Sequence, residues 1–298
     1  MATLRDIKRR IDSVESTVQV TRTMEMVSTA KIRKAQNRIE HARPYALALA
    51  SMLNEVATSS KRIKHPLLTV RPQKKVAVCL CIASDRGLAG GFNVNIIRLT
   101  EQYLAEKAAE NVDVHLITYG RKPTEYFTEI GVEPVLSFTG RSGEPSYEDA
   151  REIAAMVIKQ YSEAEIDEVV TIYTRFINVA VHRPEISVLL PVSHDEFIQD
   201  TDDDEEEIEE GYKKYIFEPS AKEVLRTLLP KYVEVLIFRS LLESAASEHG
   251  ARRAAMKAAS DNASNMIITL TRSYNRARQA AITTEISEIV GGAEALKG

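Results

Sequence analysis

Residues 4–56 read LRDIKRRIDSVESTVQVTRTMEMVSTAKIRKAQNRIEHARPYALALASMLNEV, and their periodicity decides the fold. Apolar side chains recur at Leu4, Ile7, Ile11, Val14 and Val18, then at Ile32, Ala35, Ile39, Ala42, Ala46, Leu49, Leu53 and Val56. The steps alternate between three and four residues, the 3.5-residue period of a coiled-coil seam. No Pro precedes Pro44, and the first Gly of the chain is Gly87. Between the two apolar runs the seam positions are Thr21, Glu25 and Ser28, with Met24, Met26 and Val27 beside them. The seam is therefore weakened or rotated near residues 21–28. Pro44, which has no amide proton to donate, either kinks this helix or begins a new one.

The other end of the chain behaves alike. Ser220 and Glu223 have the spacing of a capping box, and Pro219 discourages a helix from running in from upstream. A short helix is predicted to about Leu229, with Pro230 in the first turn of the next. Apolar positions then recur at Val235, Leu242, Ala246, Met256, Ala263, Ile267, Leu270, Tyr274, Ala277 and Ala281, before Gly291-Gly292 reads as a stop. Each terminal helix would hold about 55–60 residues and span roughly 80–90 Å at 1.5 Å per residue. Two such helices leading into one middle region are expected to pair antiparallel.

That middle alternates strand and helix patterns. Strands are predicted at 75–83, 113–118, 132–138, 168–176, 185–191 and 214–217, with helices near 93–110, 121–130 and 147–163. Such alternation predicts a mostly parallel, Rossmann-like sheet with an antiparallel edge. The fold expected is thus a long antiparallel two-helix coiled coil built from both termini, plus a central α/β domain. Its segments are 1–74, 75–218 and 219–298. Charge follows the same division. The formal net charge of −4 is a cancellation: residues 1–75 carry sixteen Lys and Arg against six Asp and Glu, residues 76–218 twelve against twenty-nine, and residues 219–298 eleven against eight.

The residues exclude several chemistries. Cys79 and Cys81 alternate onto one side of a strand as small core residues, too few for a disulfide framework or a four-ligand zinc site. Six scattered histidines form no H-E-x-x-H pair, and no G-x-S-x-G elbow occurs. The acidic run 200–210 lacks the spaced ligands of an EF-hand and reads as a solvated loop. The most enzyme-like string is Ser84-Asp85-Arg86-Gly87-Leu88-Ala89-Gly90-Gly91-Phe92-Asn93, a Gly-rich turn after the first strand. It matches neither dinucleotide nor P-loop spacing, and Asp85 would repel phosphate, so a structural turn or docking surface is the expected reading. Ser142 in Gly140-Arg141-Ser142-Gly143 reads as a turn residue. The basic face of Arg5, Lys8, Arg9, Arg10, Lys31, Arg33, Lys34 and Arg38 lacks interleaved aromatics; acidic protein partners suit it better than nucleic acid.

With those residues in view, the chain resembles the gamma subunit family of F-type ATP synthases over essentially its whole length. The resemblance rests on Leu4 to Ile11, Thr23-Met24-Glu25-Met26-Val27, Ser84 to Leu88 with Gly90-Gly91, Met256-Lys257-Ala258-Ala259, Asn275 to Thr283, and Glu285-Ile286 with Glu288-Ile289-Val290. Two departures stand out: Ala89 replaces a common Cys, and no inserted cysteine pair of the redox-switched chloroplast kind is present.

The resemblance implies a non-catalytic rotor in the central stalk, with no cofactor or metal of its own. It would couple proton- or sodium-driven rotation of a ring of c subunits to ATP synthesis on a hexamer of three alpha and three beta subunits. The epsilon subunit would be a further partner, and membrane contact would arise only through the complex. By motif matching, Met24, Arg278, Gln279 and Thr283 would face the moving loops of beta subunits. Ile286, Ile289 and Val290 would turn in an apical bearing, and Tyr232 and Glu234 would belong to the foot near the c ring. A seam starting at Leu4 leaves no room for a targeting peptide. The expected location is therefore the cytoplasmic face of a bacterial inner membrane, with a processed organellar protein as the alternative. Competing readings are a nucleotide-binding α/β transferase with coiled-coil arms and a passive coiled-coil adaptor.

Overall fold

A computed structural model describes residues 4–59, 65–192, 218 and 220–295. The acidic run 200–210, the strand expected at 214–217 and His194 lie outside the described residues. The elements are α1 (Leu4–Ser59), a 3-10 turn (Pro66–Leu68), β1 (Val76–Ile82), α2 (Phe92–Ala109), β2 (Asp113–Tyr119), α3 (Arg121–Glu129), β3 (Leu136–Phe138), α4 (Tyr147–Ser162), β4 (Glu168–Phe176), β5 (His182–Leu190) and α5 (Ala221–Ala295). They pack as two compact units, Met1–Ser28 with Arg252–Gly298, and Thr29–Ala251.

In the 29–251 unit the strand order is β3-β2-β1-β4-β5. β1 pairs in parallel with β2 and β4, β2 in parallel with β3, and among the described strands only the edge pair β4–β5 is antiparallel. β1 (VAVCLCI) is buried along nearly its whole length because both sheet faces are covered. Its alternation sorts the two cores. Val78, Leu80 and Ile82 join the cluster with Ile153, Val157 and Tyr161 of α4, whereas Cys79 and Cys81 join Phe92, Ile96 and Tyr103 of α2. Both thiols are free and wholly buried, and burial pushes the Cys81 thiol up to about 12, so neither is a reactive thiolate. α4 starts on a complete capping box, Ser146 and Asp149 each bonding the other's backbone N–H.

The α4 side of the core also recruits Leu49, Leu53 and Val56 of α1 and Leu225, Leu229, Tyr232 and Val233 of α5. Packing therefore assigns parts of both long helices to the same unit as the sheet. The break expected at Pro230 does not occur: α5 continues through it, as α1 does through Pro44. A proline inside a helix costs about 3 kcal/mol. Burial of Leu225, Leu229, Tyr232 and Val233 on the two flanking turns offsets that cost. The stop expected at Gly291-Gly292 is also absent. Neither glycine takes the positive φ of a C-terminal cap, and α5 runs on to Ala295.

From Ser240 to Arg252, α5 is buried on every side. Small residues permit this. Ser244 Oγ donates to the Ile82 carbonyl at 3.5 Å, and Ser247 Oγ to the Thr174 carbonyl at 3.1 Å, so the helix is tied to the ends of β1 and β4. At the end of β2, Gly120 holds φ +114°, and a Cβ there would collide with the Ala83 carbonyl. Gly120→Ala is expected to destabilise the chain by about 2–3 kcal/mol through both strain and collision. A lowered urea midpoint with unchanged slope would check it.

Candidate functional surfaces

β1 separates the path out to β2 from the return to β4, so the turn after β1 sits at the topological switch point where open α/β sheets commonly bind ligands. In this chain that crevice is filled by its own carboxylate. Asp85 Oδ1 accepts from the backbone N–H of Arg121 (2.8 Å) and of Gly140 (2.7 Å), and Oδ2 from the N–H of Ser142 (2.8 Å). The Asp85 N–H donates to Ser142 Oγ at 2.8 Å, and that hydroxyl donates to Glu248 Oε2 of α5 at 3.2 Å. The Arg121 guanidinium also donates to the Asp85 carbonyl.

Burial works against the Asp85 charge, but the amides of Gly140, Ser142 and Arg121 and the Ser142 hydroxyl prevail and hold its carboxyl below the usual range. Three backbone donors of the neighbouring turns, Arg121 at the start of α3 and Gly140 and Ser142 before α4, are thus committed to Asp85. The Gly-rich string is a clamp joining β1, the β2–α3 turn, the β3–α4 loop and α5. Arg86 and Leu88 are its exposed side chains, Leu88 at φ 63° and 64% exposed. Ser142, read from sequence as a plain turn residue, completes the clamp.

The unit of residues 1–28 and 252–298 offers a different surface. On α1, coverage falls at Leu4, Ile7, Ile11, Val14, Val18, Thr21 and Ser28, the seam read from sequence. Its polar members are satisfied within the helix: Thr21 Oγ1 donates to the Thr17 carbonyl at 2.9 Å and Ser28 Oγ to the Met24 carbonyl at 2.7 Å. On α5 the covered positions beyond Ala259 are Ser260, Ala263, Ile267, Leu270, Tyr274 and Ala277, and every described side chain from Arg278 to Ala293 is exposed. In this unit α1 keeps covered seam positions from Leu4 to Ser28, whereas α5 is bare from Arg278 on. That is an antiparallel pair in which α5 outruns its partner.

The bare end has two unlike sides. At 100° per residue, Arg278, Ile282, Ile286, Ile289, Gln279, Val290 and Thr283 fall within an arc of about 140°. The seam, continued, would pass through Ala281, Thr284 and Glu288 instead, roughly 160° away from centre to centre. Ile286 is 56% exposed and Ile289 65%. Such an apolar stripe cannot be unused seam, because it faces away from α1's side of the helix. Further exposed apolar residues, Val20, Met26 and Val27 on α1 and Met266 and Ile268 on α5, were not predicted as contacts. The signal in sequence is their bulk at off-seam positions.

The remaining sites assigned from sequence distribute as follows. Met24 is half-buried beside the seam. Thr283 is exposed, with its hydroxyl proton donated to the Gln279 carbonyl at 2.9 Å, leaving its methyl and lone pairs outward. Tyr232 and Glu234, assigned from sequence to a foot near the c ring, lie on the first third of α5. Tyr232 is 1% exposed inside the core, and Glu234 is held by the Tyr147 hydroxyl (2.6 Å) and Lys231 (2.8 Å). The physical reason is the unbroken α5, which places residue 232 on the core-facing stripe with Leu225 and Leu229. Among the basic residues, Lys34 pairs with Glu144 at 3.0 Å and Arg38 donates to the Pro145 carbonyl, so these two also brace the loop before α4. Among the described residues no three His, Cys, Asp or Glu side chains gather as a metal site, and no helix is long and apolar enough to cross a membrane.

The family described as ATP synthase matches residues 3–296. The chain belongs to the ATP synthase gamma family. It is 49% identical over 297 residues to the ATP synthase gamma chain of Pelotomaculum thermopropionicum, covering 100% of both chains, and 47% identical to that of Desulfitobacterium hafniense, again over 100% of both. Among solved structures it is similar to a chain of the Tetrahymena thermophila mitochondrial ATP synthase central stalk and c ring (TM-score 0.60, 23% identity, 81% of this chain and 99% of that one). It is similar also to a chain of the Euglena gracilis mitochondrial ATP synthase (TM-score 0.63, 18% identity, 98% and 94%). At those identities the structural likeness concerns the fold. As a gamma family member the chain is a non-catalytic rotor component, in keeping with a switch-point crevice closed by Asp85.

Proposed function

We propose that the chain is the turning shaft of an ATP synthase, with three alpha and three beta subunits around its helix pair and a c ring and epsilon subunit at its other contacts. The observation that carries this reading is the bare end of α5, whose apolar and polar stripe faces away from its own seam. A single helix pair has no threefold symmetry, so inside a threefold ring it offers each catalytic subunit a different contact at any angle. Differential contact free energy biases each subunit among its open, loose and closed states, and turning the shaft cycles those biases. Arg278, Gln279 and Thr283, with Met24 on α1, face the beta subunits and transmit that bias. Ile286, Ile289 and Val290 form the greased end that turns in an apolar collar. Tyr232 and Glu234 belong to the part of the 29–251 unit nearest the c ring, Tyr232 acting from within the core. The assembly lies against a membrane, on the cytoplasmic face if the cell is bacterial.

Arg278→Ala combined with Gln279→Ala is the test. In a hexamer reconstituted with the full-length chain, the pair is expected to lower rotation-coupled ATPase turnover on the order of tenfold, about 1.4 kcal/mol of lost bias. Helix content of the free chain should be unchanged, because both residues are exposed. Full coupling in the double variant would remove these residues from the torque path.

A further inference from the structure

Every residue from Gly140 to Pro145, the loop between β3 and α4, is tied to another element. The Gly140 N–H donates to Asp85 Oδ1 at 2.7 Å, and Arg141 Nη1 pairs with Asp149 of α4 at 2.5 Å. Ser142 Oγ donates to Glu248 Oε2 of α5, and the Gly143 carbonyl accepts from His249 Nε2 of α5, both at 3.2 Å. Glu144 pairs with Lys34 of α1 at 3.0 Å, and the Pro145 carbonyl accepts from Arg38 Nη2 of α1 at 2.5 Å. The Arg38 guanidinium also lies 5.9 Å from the centre of the Phe238 ring on α5. One short loop, anchored beside the sheet, therefore holds both long helices.

These ties differ from the rest of the contact between helices and sheet. At Leu49, Leu53, Leu229 and Val233 that contact is apolar, which resists separation without fixing an angle. A hydrogen bond weakens steeply when bent, so it does fix one. The ties also differ in weight. Lys34 and Glu144 are each more than half exposed, and such a pair contributes little. Arg38 is half-buried and brings a charged donor, which makes the stronger bond. On the α5 side, Glu248 and His249 are buried. Both helices run on into the unit of residues 1–28 and 252–298. We propose that loop 140–145 is a brace that fixes the angle of α1 and α5 against the sheet, with Arg38 and Ser142 as its positioning residues. Its consequence rests on the rotor reading: the brace makes the helices and the α/β body turn as one.

The test measures torsional stiffness in the complex of the full-length chain with cysteine-free alpha and beta subunits. Cys79 and Cys81 are wholly buried, so Ala105→Cys at an exposed position of α2 supplies the accessible thiol for a bead on the body. With the hexamer fixed to glass and nucleotide absent, the angular variance of the bead reports the stiffness of the joint. Arg38→Met keeps the stem and loses the donor, and is expected to widen that variance about twofold. Arg38→Lys keeps a charged donor and should restore it. Ser142→Ala should widen it as well, and adding Arg38→Met should then change little, because both act through one loop. A role in folding alone would lower the melting temperature and leave the variance unchanged. That result overturns the proposal, as does Arg38→Lys behaving like Arg38→Met. If Arg38→Met does not assemble, Ser142→Ala decides, and an unchanged variance there overturns the brace. A bead that fails to turn on addition of ATP, with Ala105→Cys as the sole substitution, would overturn the rotor reading itself and the brace with it.

Discussion

Asp85→Ala is expected to lower the unfolding free energy by about 3–5 kcal/mol, because three backbone N–H groups lose their acceptor where water enters poorly. At a size of 150–250 residues that corresponds to a fall in melting temperature of about 10 °C. The change has a local signature. Hydrogen exchange at the amides of Arg121, Gly140 and Ser142 should accelerate together, since those donors share the one carboxylate. Ser142→Ala should cost less, about 1–2 kcal/mol, and the two losses should not add, because Ser142 both donates to Asp85 through its amide and links the clamp to Glu248. The sign of the pH dependence follows from the depressed carboxyl. A folded value below the unfolded one contributes stability that is present above the unfolded value, near 3.9, and is lost as pH falls through the folded value. The gap between the natural chain and Asp85→Ala should hold from neutral pH to about pH 5 and shrink below about pH 4. Separate amide behaviour, or a gap that closes between pH 7 and 5, would show that the clamp is not what Asp85 provides.

The same residue marks the boundary of what a sequence can disclose. Periodicity exposed the seam because burial on a helix pair depends only on spacing: Leu4, Ile7, Ile11, Val14 and Val18 are the covered residues of α1. Strand alternation placed Cys79 and Cys81 on one face for the same reason. β4 matched its expected span, 168–176, whereas β3 begins only at Leu136, since its expected start at Val132 belongs to the turn after α3. The Asp85 clamp depended on Arg121, Gly140, Ser142 and Glu248, which are brought together by chain crossovers, and no local pattern encodes such a meeting. The helix breaks at Pro230 and Gly291 were read as local rules. At Pro230 tertiary burial outweighed the local cost, and at Gly291 no left-handed turn formed. The exposed stripe on α5 was legible as a string but not as a direction. Only partial cover of Ala277, followed by exposure of everything described beyond it, showed that Ile286 and Ile289 look away from the seam.

That direction yields the sharpest expectation. Ile286→Asp with Ile289→Asp places two carboxylates on the apolar arc, while Thr284→Asp with Ser287→Asp places the same charge on the opposite side of the same two turns. All four positions are exposed in the chain, so both double variants should fold with equal helix content. In the assembled complex they should diverge. A carboxylate carried into an apolar collar without a partner costs several kcal/mol, so the arc variant is expected to lose at least about a hundredfold in assembly or coupled turnover. The opposite-side variant should stay within about twofold, because a solvated surface charge costs little. A bearing has reason to be built this way. Apolar contact is non-directional, so it holds the shaft at every angle without hydrogen bonds that must break at each step. On the proposed reading the polar trio Arg278, Gln279 and Thr283, by contrast, would make directional contacts that differ with angle, which is what coupling requires. Equal losses from the two double variants would mean that the tip is gripped all round and that the stripe has no special role. No loss from either would mean that the end of α5 turns without touching its surroundings.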